Sequence, residues 1–225
     1  MPRTKRLVSS SLAMHVICRG NNRQIIFKDQ NDKERYYSLL FNLKQENNIS
    51  IFHYCFMDNH VHLILWLSVD AMLSRFMKQV NLSYVHHYRR RYGYSGHFWQ
   101  DRFKSNIIDL DSYLLQCGKY IELNPVRAGI VTSPWQYRFS SYRHYAYGRP
   151  DLLVADSPAY LGLSQTEEGR RKSYIDFVVD ERMINHEFLM KRLFLGSENF
   201  VKKLQEYYSI RSEKRKRGRP KNPRK

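Results

Sequence analysis

Residues 50–67 read SIFHYCFMDNHVHLILWL, and the fold turns on how this stretch divides. Ser50–Met57 carries Ile51, Phe52, Tyr54 and Phe56, the β-branched and aromatic mix of a strand. Asp58-Asn59 is a tight-turn signal. His60–Leu67 then reads as a second strand, so the stretch predicts a β-hairpin. Upstream, Met14–Arg19 reads as a short strand ended by Gly20-Asn21-Asn22, and Asn31 is placed to cap a helix running to about Glu46. Tyr36, Leu39, Leu40 and Leu43 fall on one side of that helix, and Asn47-Asn48 stops it.

Downstream, Ser68–Asp70 ends the hairpin and is placed to cap a long helix, about Ala71–Arg91. Its apolar residues Met72, Leu73, Phe76, Val80, Tyr84 and Val85 recur at helical spacing. Gly93–Gly96 breaks it. Phe103–Leu110 reads as a fourth strand, and Asp111 is placed to cap a helix over Ser112–Leu123 that Asn124-Pro125 stops. The order is β-α-β-β-α-β-α. Its first six elements match the ferredoxin-like order, an α+β fold with an antiparallel sheet.

Beyond Gly129 the chain changes character. Trp135–Tyr147 is aromatic-rich and is expected to pack back on the core. Gln165–Asp180 and Glu198–Tyr208 predict short helices in a small C-terminal extension. The expected division is a catalytic domain over residues 1–150, a helical extension over 151–210, and a basic tail over 211–225 with no apolar face and no fold of its own.

Charge narrows the partner. The chain of 225 residues has a formal net charge of +17. The tail carries nine Lys and Arg against Glu213 alone, so it supplies +8, and the remainder still carries +9. The folded part should therefore attract polyanions by itself, which points to nucleic acid. An anionic membrane surface is disfavoured, because no long amphipathic helix shows a clean basic face. Cys18, Cys55 and Cys117 are scattered without zinc-ligand spacing, and neither a secretory signal nor a long apolar span is evident. A reducing cytoplasm, in association with the nucleoid, is the expected compartment.

Two constellations can carry chemistry. In a strand, residues i and i+2 share a face, so His60 and His62 would stand side by side, able to grip one metal ion. A divalent ion needs more ligands than two. The alternative is a pair of ordinary hydrogen-bonded histidines. Tyr120 and Asn124 lie one helical turn apart on a shared face. The Asn124 carbonyl oxygen could complete a metal site and bring Tyr120 to it, but 17 tyrosines compete for such a role.

Four blocks decide between these readings. His15-Val16-Ile17-Cys18-Arg19-Gly20-Asn21, Met57–Leu63, Gly96–Lys104 and Tyr120–Gly129 together resemble the REP-associated tyrosine transposases, which are IS200-like single-tyrosine members of the HUH endonuclease superfamily. The resemblance covers about Leu12–Tyr147, in order and in spacing. One departure is Asp58, where that family often has Pro; a turn-capping role is favoured for it over tuning of the metal.

The resemblance implies a Mg²⁺ or Mn²⁺ ion held by His60, His62 and Asn124. It implies that Tyr120 attacks a phosphate of single-stranded or hairpin DNA, leaving a 5′-phosphotyrosine and a free 3′-OH. The hairpins of that family are repetitive extragenic palindromes. Arg19, Asn21, Arg102, Lys104 and Arg127 lie inside the blocks as candidate DNA contacts, and His97, Phe98 and Trp99 could stack on bases; a solvated basic face is the alternative for the cations, and core packing is at least an equal alternative for Phe98 and Trp99. In the tail, Arg217-Gly218-Arg219 resembles the minor-groove core of an AT-hook; a merely basic, salt-sensitive tail is the alternative. Two further readings stay open: a catalytically idle hairpin-binding protein, and a metal-dependent phosphodiesterase that uses water and forms no adduct. Monomer and homodimer are equally compatible with the sequence.

Overall fold

A computed structural model describes residues 12–68, 71–110, 113–180 and 192–208. Strand β1 spans Ala13–Arg19, helix α1 Gln30–Glu46, β2 Ile49–Met57, β3 His60–Leu67, α2 Leu73–Tyr92 and β4 Lys104–Ile108. These strands line up in the order β2-β3-β1-β4, and every pairing among them is antiparallel. This is the ferredoxin-like arrangement expected from the sequence. A fifth strand, β5 (Phe194–Leu195), joins the outer edge of β4 in parallel, so the sheet is mixed.

One face of the sheet is apolar. Helices α1 and α2 cover it, and Phe27, Tyr36, Phe56 and Tyr84 meet there with ring centroids 5.2–5.5 Å apart for the edge-on contacts of Tyr36. The two phenol groups are satisfied inside this core, Tyr36 by Asn81 Oδ1 at 3.2 Å and Tyr84 by the Ile26 carbonyl at 2.5 Å. The N-cap of α1 is Asp29, whose carboxylate accepts from the Asp32 amide at 3.1 Å, and not Asn31. Asp29 wins because Arg91 also holds it, at 2.5 Å. Helix α2 starts after Met72 with no side-chain cap, since Ser68 spends its hydroxyl on the Asn48 carbonyl. Asp70 and Asp111, expected as caps, lie outside the described residues, as do the tail and its Arg217 and Arg219.

The opposite face is covered by α3 (Leu114–Glu122), which continues through Leu123 into the single turn α4 (Asn124–Arg127). Helices α5 (Tyr142–Tyr147), α6 (Pro158–Leu161) and α7 (Glu167–Val179) pack outside α3, and α8 (Glu198–Tyr207) follows β5. A second, smaller core of Tyr142, Tyr145, Ala146, Tyr160, Tyr174 and Val178 gathers residues from both sides of position 150.

A β-bulge between Ile51 and His53 sets the relation of the two faces. Ile51 pairs with Leu65 and His53 with Ile64, so Phe52 is the extra residue and His53 turns toward α3. Gly118 of α3 makes room for it. A Cβ at Gly118 would lie 2.5–2.8 Å from the His53 ring. That ring cannot retreat, because it stacks on Tyr145 at 4.4 Å and bonds Glu122 at 3.0 Å. Alanine normally gains about 1 kcal/mol over glycine in a helix, but overpacking costs about 1–3 kcal/mol. Gly118→Ala is therefore expected to lower the urea-unfolding free energy by up to about 2 kcal/mol; a variant about 1 kcal/mol more stable than wild type would mean that the ring has room to move.

Candidate active site

Register places the polar residues. Ile17 lies opposite His62 and Arg19 opposite His60 across β1 and β3, while Ile17 lies opposite Lys104 on β4. Directly paired residues share a face, so His15, Arg19, His60, His62 and Lys104 all look toward the α3 side. The two candidate metal-binding histidines stand next to each other, with ring centroids 4.8 Å apart and planes at 79°.

Each of these rings is held through Nδ1. His60 Nδ1 meets Asn59 Oδ1 at 2.5 Å, and His62 Nδ1 meets His15 Nε2 at 2.9 Å. The His15 and His62 rings also stack, 5.1 Å apart and 14° from parallel. Burial lowers the His15 pKa to about 4, so this ring is neutral at pH 7. Its Nδ1 meets no hydrogen-bond partner among the described residues. Sequence reasoning gave His15 no role. The signal was a polar residue inside the otherwise apolar run AMHVIC, which becomes buried at 0 % exposure.

Helix α3 delivers Tyr120 to the same place. Leu114, Cys117 and Ile121 are its buried apolar positions, and Tyr120 is buried too. The Tyr120 ring stands edge-on to His62, 6.2 Å away and at 84°. The Arg127 guanidinium lies over the Tyr120 ring at 4.4 Å, and its Nη1 donates to the Tyr120 carbonyl at 3.3 Å. Burial raises the Tyr120 pKa, and Arg127 and Arg19 pull against it. Asn124 donates its amide nitrogen to the carbonyls of Tyr120 and Ile121, both at 3.1 Å. Its chemistry toward a cation therefore rests with Oδ1.

Among the described residues no group of three or more His, Cys, Asp or Glu side chains is arranged to hold a metal ion. A divalent ion here would depend on His60, His62 and an oxygen donor such as Asn124. The residues fit that role. An Nδ1 held by a neighbouring group is the usual way a protein fixes a metal-binding imidazole with Nε2 toward the ion. Two imidazoles and an amide oxygen suit a borderline-to-hard divalent cation and leave positions for water and phosphate. Asp58 is not part of this set, since its carboxylate bonds Lys33 at 2.7 Å on α1.

The candidate DNA contacts fall around these groups. Arg19, Arg102 and Lys104 line one hollow with Ile17, Gln100 and Asp101. Asn21 sits in the turn after β1, its amide bonded to the Phe98 carbonyl at 2.8 Å. Phe98 is buried among Tyr84, Tyr88 and Tyr94, so it is a core residue. Trp99 is half-buried and His97 exposed.

Sequence reasoning also missed the group that fixes α3. Glu122, fully buried, receives Ser141 Oγ at 2.5 Å, Tyr174 OH at 2.6 Å and the His53 ring at 3.0 Å. Lys119, one residue before Tyr120, donates to the Phe177 carbonyl at 2.8 Å and to the Asp180 carbonyl.

Residues 8–124, more than half of the chain, match the family described as "Transposase IS200 like". No curated protein matches the chain. Among solved structures, a REP-associated tyrosine transposase bound to a REP hairpin aligns with a TM-score of 0.57 at 19 % identity, over 70 % of this chain and 93 % of that one. A candidate transposase from Deinococcus radiodurans aligns with a TM-score of 0.38 at 17 % identity, over 54 % of this chain and 96 % of that one. A bacterial tRNA(His) guanylyltransferase-like protein in complex with GTP aligns with a TM-score of 0.38 at 12 % identity, over 59 % of this chain and 76 % of that one.

Tyr120 is packed as a ring, by His62 on its edge and Arg127 on its face. A phenylalanine keeps both contacts and gives up only the hydroxyl, for which a hydrogen bond is worth about 0.5–1.5 kcal/mol. Tyr120→Phe should therefore unfold within about 6 °C of wild type in a thermal scan; a larger fall would show that the hydroxyl is a structural group.

Proposed function

This chain belongs to the IS200-like transposase family, and from that premise we propose that it nicks and rejoins single-stranded DNA at hairpin sites through a 5′-phosphotyrosine on Tyr120. The observation that carries the reading is the placement of Tyr120 edge-on to His62 and under Arg127. A buried phenol with a raised pKa is a poor nucleophile by itself. Arg127 and Arg19 favour its anion, and both could also neutralise a phosphate brought to the site.

The step balances as a phosphoryl transfer. The Tyr120 oxygen bonds to phosphorus, the phosphorus–O3′ bond breaks, the phenol proton leaves, and the departing 3′ oxygen takes a proton. The phosphodiester energy stays in the tyrosyl ester, so a 3′-OH can reverse the step and join strands without another energy source. His60, His62 and Asn124 would hold Mg²⁺ or Mn²⁺. When bound, such an ion supplies a Lewis acid that draws charge from the scissile phosphate. His15 keeps His62 oriented toward that role. The REP-associated transposase that shares the fold binds a REP hairpin, and hairpin DNA is accordingly the substrate proposed for this chain. Arg19, Asn21, Arg102 and Lys104 are proposed to track the strand, and the tail, with Arg217 and Arg219, to add salt-sensitive affinity.

Incubation with an end-labelled single-stranded hairpin and Mn²⁺ should yield a protein–DNA adduct on a denaturing gel. The adduct should vanish with EDTA and in Tyr120→Phe. An adduct in Tyr120→Phe would move the nucleophile elsewhere, and cleavage without any adduct would favour water as the nucleophile. His15→Phe removes the partner of His62 Nδ1 and should weaken Mn²⁺ binding by about 10–100-fold in a calorimetric titration. Unchanged affinity would show that His15 does not position the ligand.

A further inference from the structure

Helix α7 holds α3 from the side away from the proposed chemistry. It lies outside residues 8–124, the part that matches the transposase family, and its buried residues Tyr174 and Val178 belong to the smaller core. Two of its groups reach α3. The Tyr174 hydroxyl donates to Glu122 Oε2 at 2.6 Å. At the C-terminal end of α7, the carbonyls of Phe177 and Asp180 accept from Lys119 Nζ, the first at 2.8 Å. Carbonyls of a last helical turn have no partner within their own helix and sit at the negative end of its dipole, so an ammonium suits them. That ammonium also lies over the Phe177 ring, 5.1 Å from its centre. Lys119 and Glu122 are both buried, so solvent screens neither anchor.

Helix geometry turns these anchors into a brake on rotation. Lys119 and Glu122 are three residues apart and share a side of α3. Tyr120 points about 130° away from that side, at about 100° per residue, and there it meets His62 and Arg127. Side chains reach about 5–6 Å from a helix axis, so turning α3 by about 10° carries a side-chain tip about 1 Å. A misplacement of about 1 Å at a reacting atom can cost on the order of 100-fold in rate. One anchor would leave α3 able to pivot about it; two, reaching different points of α7, do not.

The frame that holds α7 is the sheet that carries the histidines. The Tyr174 ring is wedged 5.2 Å from Tyr145 and 5.8 Å from Tyr160. Tyr145 in turn donates its hydroxyl to the Phe52 carbonyl of β2 at 2.6 Å, and β2 pairs with β3, the strand of His60 and His62. A closed circuit of packed groups thus runs from His62 through β2, Tyr145, Tyr174 and Glu122 to Tyr120. Resting on the function proposed above, we infer that Lys119 and Tyr174 are positioning residues for the nucleophile, holding α3 at the rotation that sets Tyr120 against His62. They govern the rate of attack and bind neither DNA nor metal.

The test compares the full wild-type chain with Tyr174→Phe and Lys119→Met, at a temperature where circular dichroism shows each to be folded. Tyr174→Phe keeps the buried ring and loses only the hydroxyl, so it tests the inference even if Lys119→Met does not fold. Three quantities are measured: the single-turnover rate constant of adduct formation at saturating hairpin and Mn²⁺, the affinity for the hairpin in EDTA, and the affinity for Mn²⁺ by calorimetry. Each variant should lose about tenfold or more in the rate constant while both affinities stay within about twofold. A purely structural role would leave the rate constant of the folded variant unchanged. A rate constant unchanged in one folded variant removes that residue from the role, and unchanged in both overturns the inference. So does a loss of rate matched by an equal loss of hairpin or Mn²⁺ affinity. An adduct on wild type with unaffected variants leaves the nickase reading standing; no adduct on wild type removes both.

Discussion

The buried carboxyl of Glu122 is the constraint on which the rest depends. A carboxyl taken fully out of water is costly unless it is well bonded, and here three donors from three elements converge on it. His53 comes from the sheet, Ser141 from the start of α5 and Tyr174 from α7. Burial and Glu122 itself push the Tyr174 phenol far up, so it stays a donor. The result locks α3 between the sheet and the C-terminal helices. Tyr120 sits two residues before Glu122 on that helix, and Lys119, tied to the end of α7, directly precedes Tyr120. The position of the proposed nucleophile is thus set by groups that do not touch the substrate.

The same economy governs the sheet. A single extra residue at Phe52 turns His53 from the α1–α2 side to the α3 side. It thereby lets one face of the sheet be apolar core while the other carries a row of histidines. His15, His53 and His62 are all buried, yet only His62 is proposed to meet a metal. His15 orients His62, and His53 anchors Glu122. An exposed loop could not hold such rings within tenths of an ångström; neighbouring strands of a packed sheet can.

Much of this was legible in the sequence where the information is local. The hairpin of residues 50–67, the face-sharing of His60 and His62, and the helical spacing of Tyr120 and Asn124 follow from period and turn chemistry alone. Asp29 displaced Asn31 as the cap of α1 because Arg91, 62 residues away, holds it. The two-residue strand β5 is too short to show alternation, and its partner β4 lies more than 80 residues earlier. His15 and Glu122 stood in quoted motifs without a role. Their partners are set by tertiary packing, with His62 lying 47 residues from His15 and Tyr174 lying 52 residues from Glu122. Pairings of that kind leave no spacing to read.

Identification of the amino acid joined to DNA tests the role of Tyr120 most directly. The protein would be reacted with a single-stranded hairpin and Mn²⁺ and digested with trypsin and nuclease, and the nucleotide-bearing peptide sequenced by mass spectrometry. The expected product is a 5′-linked nucleotide on Tyr120 and on no other tyrosine. A nucleotide on a different residue, or a 3′ linkage, would contradict it.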